Sequence, residues 1–151
     1  MGVEVTILMD RSELFRDFIA FTASVLETKH DFTKDIRIEG ITPVQYGILE
    51  YLFAHRDEPV TISEMSDCQH MSLPNTSREL RKLGEKGLCE KFSDSEDKRK
   101  QYIRLSPEGQ ARMAEAFRKV EARFLERIRG ISDEELGELA RAIRLLDGKV
   151  F

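Results

Sequence analysis

The sequence predicts a mainly α-helical protein with one small β-hairpin, and three observations support this fold class. Helix-start signals, in which Ser or Thr is followed three residues later by Glu or Gln or directly by Pro, recur along the chain. Between these signals apolar residues repeat at the three- and four-residue spacing that is typical of amphipathic helices. The alternation typical of strands is clearest on either side of the charged run DSEDKRK at residues 94–100.

Length and composition favour one compact unit over residues 1–151. A 40% hydrophobic composition suffices for a globular core of this size. No apolar run reaches the roughly 18–20 residues that cross a bilayer, and the apolar piece VTILM at residues 5–9 lacks a basic leader or a small-residue cleavage site. Two cysteines do not make a disulfide framework and fit a reducing compartment. We therefore expect a cytoplasmic protein without a membrane partner.

The N-terminal third is predicted to hold two helices. The first spans roughly residues 12–29. Its apolar stripe contains Leu14, Phe18, Phe21 and Val25. Thr42 is the predicted N-cap of the second helix, with Pro43 at the first position and Gln45 completing a capping box. This helix should end near His55, ahead of the polar segment RDEP.

The next segment predicts two helices that are joined by a tight turn. A second capping box, Thr61 with Glu64, starts a short helix. The turn HMSLPN follows, and Ser72 caps a further helix over residues 73–86. Gly87 is suited to the left-handed conformation that closes a helix.

Two short strands, LCEKF and QYIRL, flank the charged run and predict a hairpin over residues 89–105. Ser106 with Pro107 then starts a long helix, and Ser132 with Glu135 starts the last one. Their apolar stripes contain Met113, Phe117, Val120, Phe124 and Ile128 in the first helix and Leu136, Leu139, Ile143 and Leu146 in the second.

The order of these elements has a functional interpretation. In a winged helix-turn-helix the second helix enters the DNA major groove, and the hairpin that follows, the wing, reaches neighbouring phosphates or the minor groove. If Thr76, Leu80 and Leu83 face the core, helical spacing leaves five polar residues exposed or on flanking faces. They are Asn75, Ser77, Arg78, Arg81 and Lys82. Arg can pair with guanine and Asn with adenine, whereas Ser and Lys more often bind phosphates.

Charge is distributed unevenly along the chain. The formal net charge is −4, but the segment from Ser72 to Arg104 holds nine Lys or Arg against six Asp or Glu. That segment is therefore +3, and the remainder is −7. An acidic body with a basic module is typical of a protein that presents one face to phosphate. We predict double-stranded DNA as the partner.

Three stretches carry a family resemblance: ITPVQYGILEYL, TISEMSDCQHMSLPNTSRELRKLGEKGL and DSEDKRKQYIRLSPEGQ, within roughly residues 41–110. They combine EKGL at the end of the recognition helix, a wing of the form D-x-x-D-[KR]-R and a following L-[ST]-x-x-G. With these motifs the sequence resembles the MarR family of bacterial winged helix-turn-helix transcriptional regulators. The resemblance implies transcription regulation, for instance by a repressor. From the residues themselves we expect no enzyme, no catalytic residue, no metal and no cofactor.

The resemblance also implies roles for particular residues. In the family the arginine of a D-x-R element, here Arg99, enters the minor groove, and the aspartate, here Asp97, holds it in place. The chemistry suits this role, because a guanidinium is always charged and a nearby carboxylate limits its rotamers. With Lys98 and Lys100 as phosphate contacts, the predicted DNA-binding residues are Ser72, Pro74, Asn75, Ser77, Arg78, Arg81, Lys82, Asp97, Lys98, Arg99 and Lys100.

A domain organisation follows from the same resemblance. A DNA-binding lobe over residues 41–105 would be flanked by dimerisation helices over residues 10–31 and 106–151, which interlock in a homodimer. Two-fold symmetry would make the operator a pseudo-palindrome with half-sites about one helical turn apart. Family members are commonly released from DNA by a small phenolic or anionic effector. The predicted pocket residues are Phe18, Phe21, Tyr46 and Phe53.

Alternative interpretations stay open. A winged helix can be a protein-interaction module without specific DNA binding, and a charged run can be a solvated turn. Aromatic residues at helical spacing are more often core than cavity. Cys68 and His70 lie close together, but they lack the spacing of a metal motif, and both Cys68 and Cys89 are interpreted as buried packing residues. A hydrolase is disfavoured because no nucleophile, base and orienting group can be assembled.

Overall fold

The computed structural model describes residues 9–151. Residues 5–8 of the run VTILM therefore lie outside the described residues. Met1–Asp35 is one compact unit, of which residues 9–35 are described, and Ile36–Phe151 is a second. The elements in chain order are α1 (Arg11–Thr33), α2 (Pro43–Ala54), β1 (Val60–Thr61), α3 (Ile62–Cys68), α4 (Leu73–Glu85), β2 (Cys89–Ser93), β3 (Gln101–Leu105), α5 (Pro107–Ile128) and α6 (Asp133–Lys149).

The predicted helix starts are confirmed by their hydrogen bonds. At α2, Gln45 N–H donates to Thr42 Oγ1 at 3.2 Å and Thr42 N–H donates to Gln45 Oε1 at 3.3 Å. The same reciprocal box is present at the start of α3 and of α6. At α4 and α5 the hydroxyl oxygens of Ser72 and Ser106 accept from the third residue of the helix. Each cap pairs an amide that the helix itself leaves unpaired, which fixes where the helix begins.

One hydrophobic core lies within the second unit. From α4, Thr76, Leu80 and Leu83 turn inward, as the sequence predicted, and none is more than 2% exposed. The larger side chains of this core include Ile48, Leu49, Met65, Ile103 and Met113. Complete burial of one such side chain contributes about 1.5–3 kcal/mol to stability. The inner face of α4 is therefore held by packing, and its outer face is left for other contacts.

The sheet has one strand more than the predicted hairpin. Its order is β1-β3-β2 with antiparallel pairing, so that Val60 lies opposite Ile103 and Cys89 opposite Leu105. The sequence did not reveal β1 because two residues are too few to display an alternating pattern. The extra strand joins the base of the wing to the segment that leads into α3.

The end of α4 is closed as predicted. Gly87 has a φ of +72°, in the left-handed region where a side chain would be strained. Leu88 N–H donates back to the carbonyl oxygen of Leu83 at 3.0 Å, and Gly87 N–H donates to that of Gly84 at 2.9 Å. This closure turns the chain directly from α4 into β2.

Large apolar side chains remain exposed on the terminal helices of a single chain. No residue of α1, Arg11–Thr33, is buried, and Leu14, Phe15, Ile19 and Leu26 are each at least half exposed. The second half of α5 and α6 likewise expose Leu125, Ile143 and Leu145. Apolar area of this kind is usually covered by another surface.

Across residues 9–151, none of the helices combines the length and the apolar character that a membrane crossing requires.

Candidate nucleic-acid interface

The outer face of α4 carries the residues that were predicted to meet DNA. Arg78, Arg81 and Lys82 are exposed, whereas Asn75 and Ser77 are half-buried on its flanks. These placements follow from the inward position of the apolar residues, since a helix turns 100° per residue. The helix therefore presents cations and amides on the side that does not pack on the core.

The first turn of α4 uses its polar groups internally. Asn75 N–H donates to Ser72 Oγ at 3.4 Å, and Thr76 N–H donates to the Ser72 carbonyl at 2.9 Å. Pro74 has no amide hydrogen to offer. Leu73, which the sequence interpretation passed over, is 51% exposed beside them. Ser72 is thus a cap, and recognition by this end of the helix depends mainly on side chains further along.

Glu79 is the unexpected residue of this helix. It is only 8% exposed, although the exposed Arg78 precedes it directly and the exposed Arg81 follows two residues later. Its Oε2 accepts from Gln45 Nε2 at 2.9 Å, and its Oε1 accepts from Lys82 Nζ at 3.0 Å. Arg78 Nε lies 3.6 Å from the same Oε1. Sequence reasoning missed this cluster because charged residues on a charged helix are ordinarily solvated.

The charge state of Glu79 follows from its partners. The hydrogen bond from Gln45 and then that from Lys82 hold the pKa of the Glu79 carboxyl below its ordinary value, against the opposing effect of burial. The side chain is therefore a carboxylate at neutral pH. It places a fixed negative charge directly beneath the cationic face of α4.

The wing tip is ordered by its own acidic residues. Asp97 Oδ1 accepts from the backbone N–H of Arg99 at 3.0 Å and from Arg99 Nε at 3.4 Å. Asp94 N–H donates to the Lys100 carbonyl at 3.1 Å, and Lys100 N–H donates to the Asp97 carbonyl at 3.0 Å. The Arg99 side chain is 94% exposed while Asp97 holds it. Lys98 and Lys100 are exposed on either side.

The base of the wing has a second arginine with a structural role. Arg104 Nε donates to Glu90 Oε2 at 3.1 Å across the β2–β3 pair, and its guanidinium lies 4.8 Å from the centre of the Phe92 ring. Phe92 and Tyr102 are cross-strand neighbours with ring centres 5.5 Å apart. These contacts stiffen the hairpin that carries Arg99.

Two of the four predicted pocket residues lie in each of the two units. Phe18 and Phe21 belong to α1, and Phe21 is exposed. Tyr46 and Phe53 pack against the core of the second unit, where the Phe53 ring centre lies 4.6 Å from that of Phe117. A cavity of about 170 Å³ in that unit has none of the four in its lining. It is lined by Ile36, Arg37, Ile38, Glu39, Arg112, Glu115, Ala116 and Lys119.

The interpretation of both cysteines as buried packing residues is wrong for one of them. Cys89 is buried at the start of β2, and burial raises the pKa of its thiol to about 12. Cys68, at the end of α3, is exposed. The inward face of that short helix is taken by Met65 and Ser66, so its last residue points outward.

This difference gives a testable prediction. In the folded protein we expect one thiol per chain, that of Cys68, to react promptly with a colorimetric thiol reagent. Cys89 should react only after denaturation, because it is buried and its thiolate is scarce at neutral pH. A Cys68→Ser variant serves as the control and should show no prompt reaction. Equal reaction of two thiols in the folded wild type would contradict the structure.

Comparison with known proteins agrees with this architecture. Residues 41–100 match the family model described as the MarR family. The chain is 26% identical over 107 residues to the Bacillus subtilis protein named "Uncharacterized HTH-type transcriptional regulator YsmB", and the match covers 71% of this chain and 72% of that protein. The resemblance that the motifs indicated is thereby confirmed.

Solved structures share the fold at low sequence identity. A MarR family protein from Bacillus stearothermophilus has a TM-score of 0.70 and 21% identity, with 94% of this chain and 98% of that chain covered. MepR of S. aureus, bound to ethidium bromide, has a TM-score of 0.58 and 24% identity, with 95% and 98% covered. At these identities the likeness concerns the fold, and it confirms the predicted class of helices with a small β-sheet wing.

Proposed function

We propose that this chain, whose residues 41–100 match the MarR family model, is a sequence-specific DNA-binding regulator that acts as a homodimer. The observation that carries the proposal is the wing tip, where Asp97 holds a 94% exposed Arg99 by two hydrogen bonds. An arginine that is restrained yet almost wholly exposed does not contribute to core packing. Its guanidinium is suited to binding in a narrow minor groove. A solvated turn would not need this arrangement.

The recognition helix is proposed to enter the major groove. Its inner face is fixed by core packing, and Arg78, Arg81 and Lys82 are exposed on the other side. Asn75 and Arg78 are the proposed base-reading residues, because amide and guanidinium groups can form paired hydrogen bonds with base edges. The other polar residues of the helix and the wing lysines are assigned to phosphates. They are Ser72, Ser77, Arg81, Lys82, Lys98 and Lys100. Pro74 has no donor for a phosphate, and its assigned role is to stiffen the start of the helix.

A homodimer would explain the exposed apolar surface of the terminal helices. Leu26 of α1 and Ile143 of α6 are 69% and 63% exposed in a single chain. Covering such side chains against a second copy would remove apolar area from water, which stabilises association. We therefore propose that residues 10–31 and 106–151 form the dimer interface. The operator would then be a pseudo-palindrome with half-sites about one helical turn apart.

A small-molecule effector is part of the proposal. The S. aureus MepR structure that shares this fold contains ethidium bromide. In this chain a cavity of about 170 Å³ lies beside α5. Its lining holds three cations against two carboxylates, and this excess of one positive charge favours an anionic or phenolic ligand. The charged residues are Arg37, Arg112, Lys119, Glu39 and Glu115. Such a ligand can regulate only if it binds the DNA-competent and the DNA-free conformations with different affinities. The cytoplasm is the proposed location, because the chromosome of a bacterium lies there.

Selection of bound fragments from random duplex DNA tests this function. We expect recovery of an inverted repeat, because a two-fold symmetric dimer reads the same bases twice. Affinity for the recovered duplex should fall roughly 10³-fold or more between 50 and 200 mM salt, as expected when about six or more phosphates are neutralised. As the control, binding of the random duplex pool is measured in competition with a scrambled duplex.

The second candidate is a winged-helix module that binds another protein. It is kept because the chain as a whole is acidic, with a formal net charge of −4. This alternative predicts that selection recovers no preferred duplex and that weak binding to DNA has the same affinity for every sequence. Either of those results would reject the proposed regulator of specific operators.

A further inference from the structure

A buried polar cluster joins the start of α2 to the recognition helix. Its centre is the Glu79 carboxylate, whose side chain is 10% exposed. Oε2 accepts from Gln45 Nε2 at 2.9 Å, and Oε1 accepts from Lys82 Nζ at 3.0 Å. Both oxygens are therefore occupied by donors, one from α2 and one from α4.

The orientation of Gln45 is fixed by its other contacts. Its Oε1 accepts from Thr42 N–H at 3.3 Å and from Lys86 Nζ at 2.9 Å. Lys86 Nζ also donates to the carbonyl oxygen of Gly40. Because the amide oxygen already serves two donors, the amide nitrogen must face Glu79. A flipped amide would set its oxygen against the Glu79 carboxylate, acceptor against acceptor, and its NH2 group against the Thr42 N–H and the Lys86 ammonium, donor against donor.

Position 79 consequently requires two acceptor atoms. A carboxylate supplies them, whereas the amide of glutamine has one acceptor oxygen and one donor nitrogen. With glutamine there, either Gln45 or Lys82 would lose its acceptor. The position thus requires the charge of Glu79 and not merely its shape.

The same carboxylate forms an ion pair with Arg78, which is proposed to read bases. Arg78 Nε lies 3.6 Å from Glu79 Oε1, and Arg78 Nη2 donates to Asn75 Oδ1. Arg78 is therefore restrained from two sides while remaining exposed. Within residues 9–151, Arg81, one turn away, has only a 4.0 Å ion pair with Glu85, and both of those side chains are about 70% exposed. Restraint before binding lowers the entropy that a side chain loses on contact.

We propose that Glu79 is a positioning residue which presets Arg78 and Lys82 on the recognition helix and thereby sets discrimination between DNA sequences. This inference rests on the proposed function and adds a residue that does not itself touch DNA. A buried negative charge beneath a DNA-facing surface weakens attraction to every duplex alike. A preset guanidinium, by contrast, favours only those duplexes that place acceptors where it already points. Glu79 therefore exchanges general affinity for specificity.

The test compares Glu79→Gln with Glu85→Gln. Both variants remove one negative charge from the same helix, but Glu85 is exposed and outside the buried cluster. Each is titrated with the duplex recovered by selection and with a scrambled duplex. We expect both variants to bind the scrambled duplex more tightly than wild type. Only Glu79→Gln should lower the ratio of specific to non-specific affinity, by roughly tenfold.

A measurement on the free protein keeps the test valid if Glu79→Gln folds poorly. NMR relaxation of the arginine Nε–H groups in wild type should show that Arg78 is more ordered than Arg81. The Arg99→Ala variant should leave the order of Arg78 unchanged. An Arg78 Nε–H as mobile as that of Arg81 would overturn the positioning role. So would a folded Glu79→Gln protein with an unchanged affinity ratio.

Failure of the proposed function looks different. Wild type would then bind all duplexes with the same affinity while Arg78 remained ordered. Both the operator-binding function and the role of Glu79 in discriminating between DNA sequences would then be rejected. If wild type selects an operator and the ratio does not respond to Glu79, only the positioning role is lost.

Discussion

Replacing Arg99 with alanine is expected to lower affinity for the selected operator by roughly 10- to 100-fold, since loss of one arginine contact costs about 1–3 kcal/mol. The side chain is 94% exposed and contributes nothing to the core, so folding should be unchanged. Among the described residues its hydrogen bonds are to Asp97, which already restrains the direction of the guanidinium. Fluorescence anisotropy with the labelled operator measures the loss directly.

Arg56→Ala is the matched control for this effect. It removes one positive charge from the same lobe, but Arg56 lies beyond the end of α2, where it stacks on Phe53. We expect it to change operator affinity by less than about threefold, since charge outside the contact surface is largely screened. Arg99→Lys should be intermediate, because a lysine keeps the charge and loses the planar donor fork. Equal losses for Arg56→Ala and Arg99→Ala would remove the wing from the interface.

The acidic residues of the charged run have a structural use that explains their presence beside DNA-facing cations. Asp97 restrains Arg99, and Asp94 Oδ1 accepts from the backbone N–H of Glu96 at 2.9 Å. Aspartate side chains commonly accept from the backbone two residues on in turns. The run DSEDKRK therefore encodes a shaped tip, in which the acidic residues order the loop and the basic residues remain available.

Local signals made most of the fold predictable. A capping box acts over three residues and helical spacing over seven or eight, so the starts of α2, α3 and α6 could be located from short stretches of sequence. Thr76, Leu80 and Leu83 were assigned inward on the same basis, and all three are buried. Such predictions succeed because the stabilising contacts lie within the segment itself.

Contacts between distant segments were not predictable in this way. Gln45 was assigned to its capping box, but its bond to Glu79 joins residues 34 positions apart. Glu79 itself has the residue type and the surroundings of a solvated charge, and only the tertiary fold places an amide donor opposite it. The exposure of Cys68 is a similar case, because it depends on which side of a two-turn helix meets the core. One-dimensional patterns carry no information of that kind.

Gly109→Ala is expected to be the most destabilising of the substitutions considered, by about 3 kcal/mol, the upper end of the usual cost of overpacking. Gly109 is buried in the first turn of α5, and a Cβ atom there would lie 2.1 Å from the Leu88 carbonyl oxygen. That oxygen already accepts from Ser106 N–H at 3.0 Å, so it cannot move away without loss of the bond. Chemical denaturation at a fixed protein concentration measures the change in the free energy of unfolding.

Gly84→Ala provides the opposite result at a comparable position. Gly84 lies inside α4, and the nearest atom to a new Cβ would be the Cys89 carbonyl oxygen at an ordinary 3.8 Å. Alanine should therefore stabilise the protein by about 0.5–1 kcal/mol, through its higher helix propensity. Because Leu88 also connects the recognition helix to β2, Gly109→Ala should weaken operator binding as well, by displacing the wing from α4. Similar free energies of unfolding for the two variants would show that α5 does not approach Leu88 as closely as the structure places it.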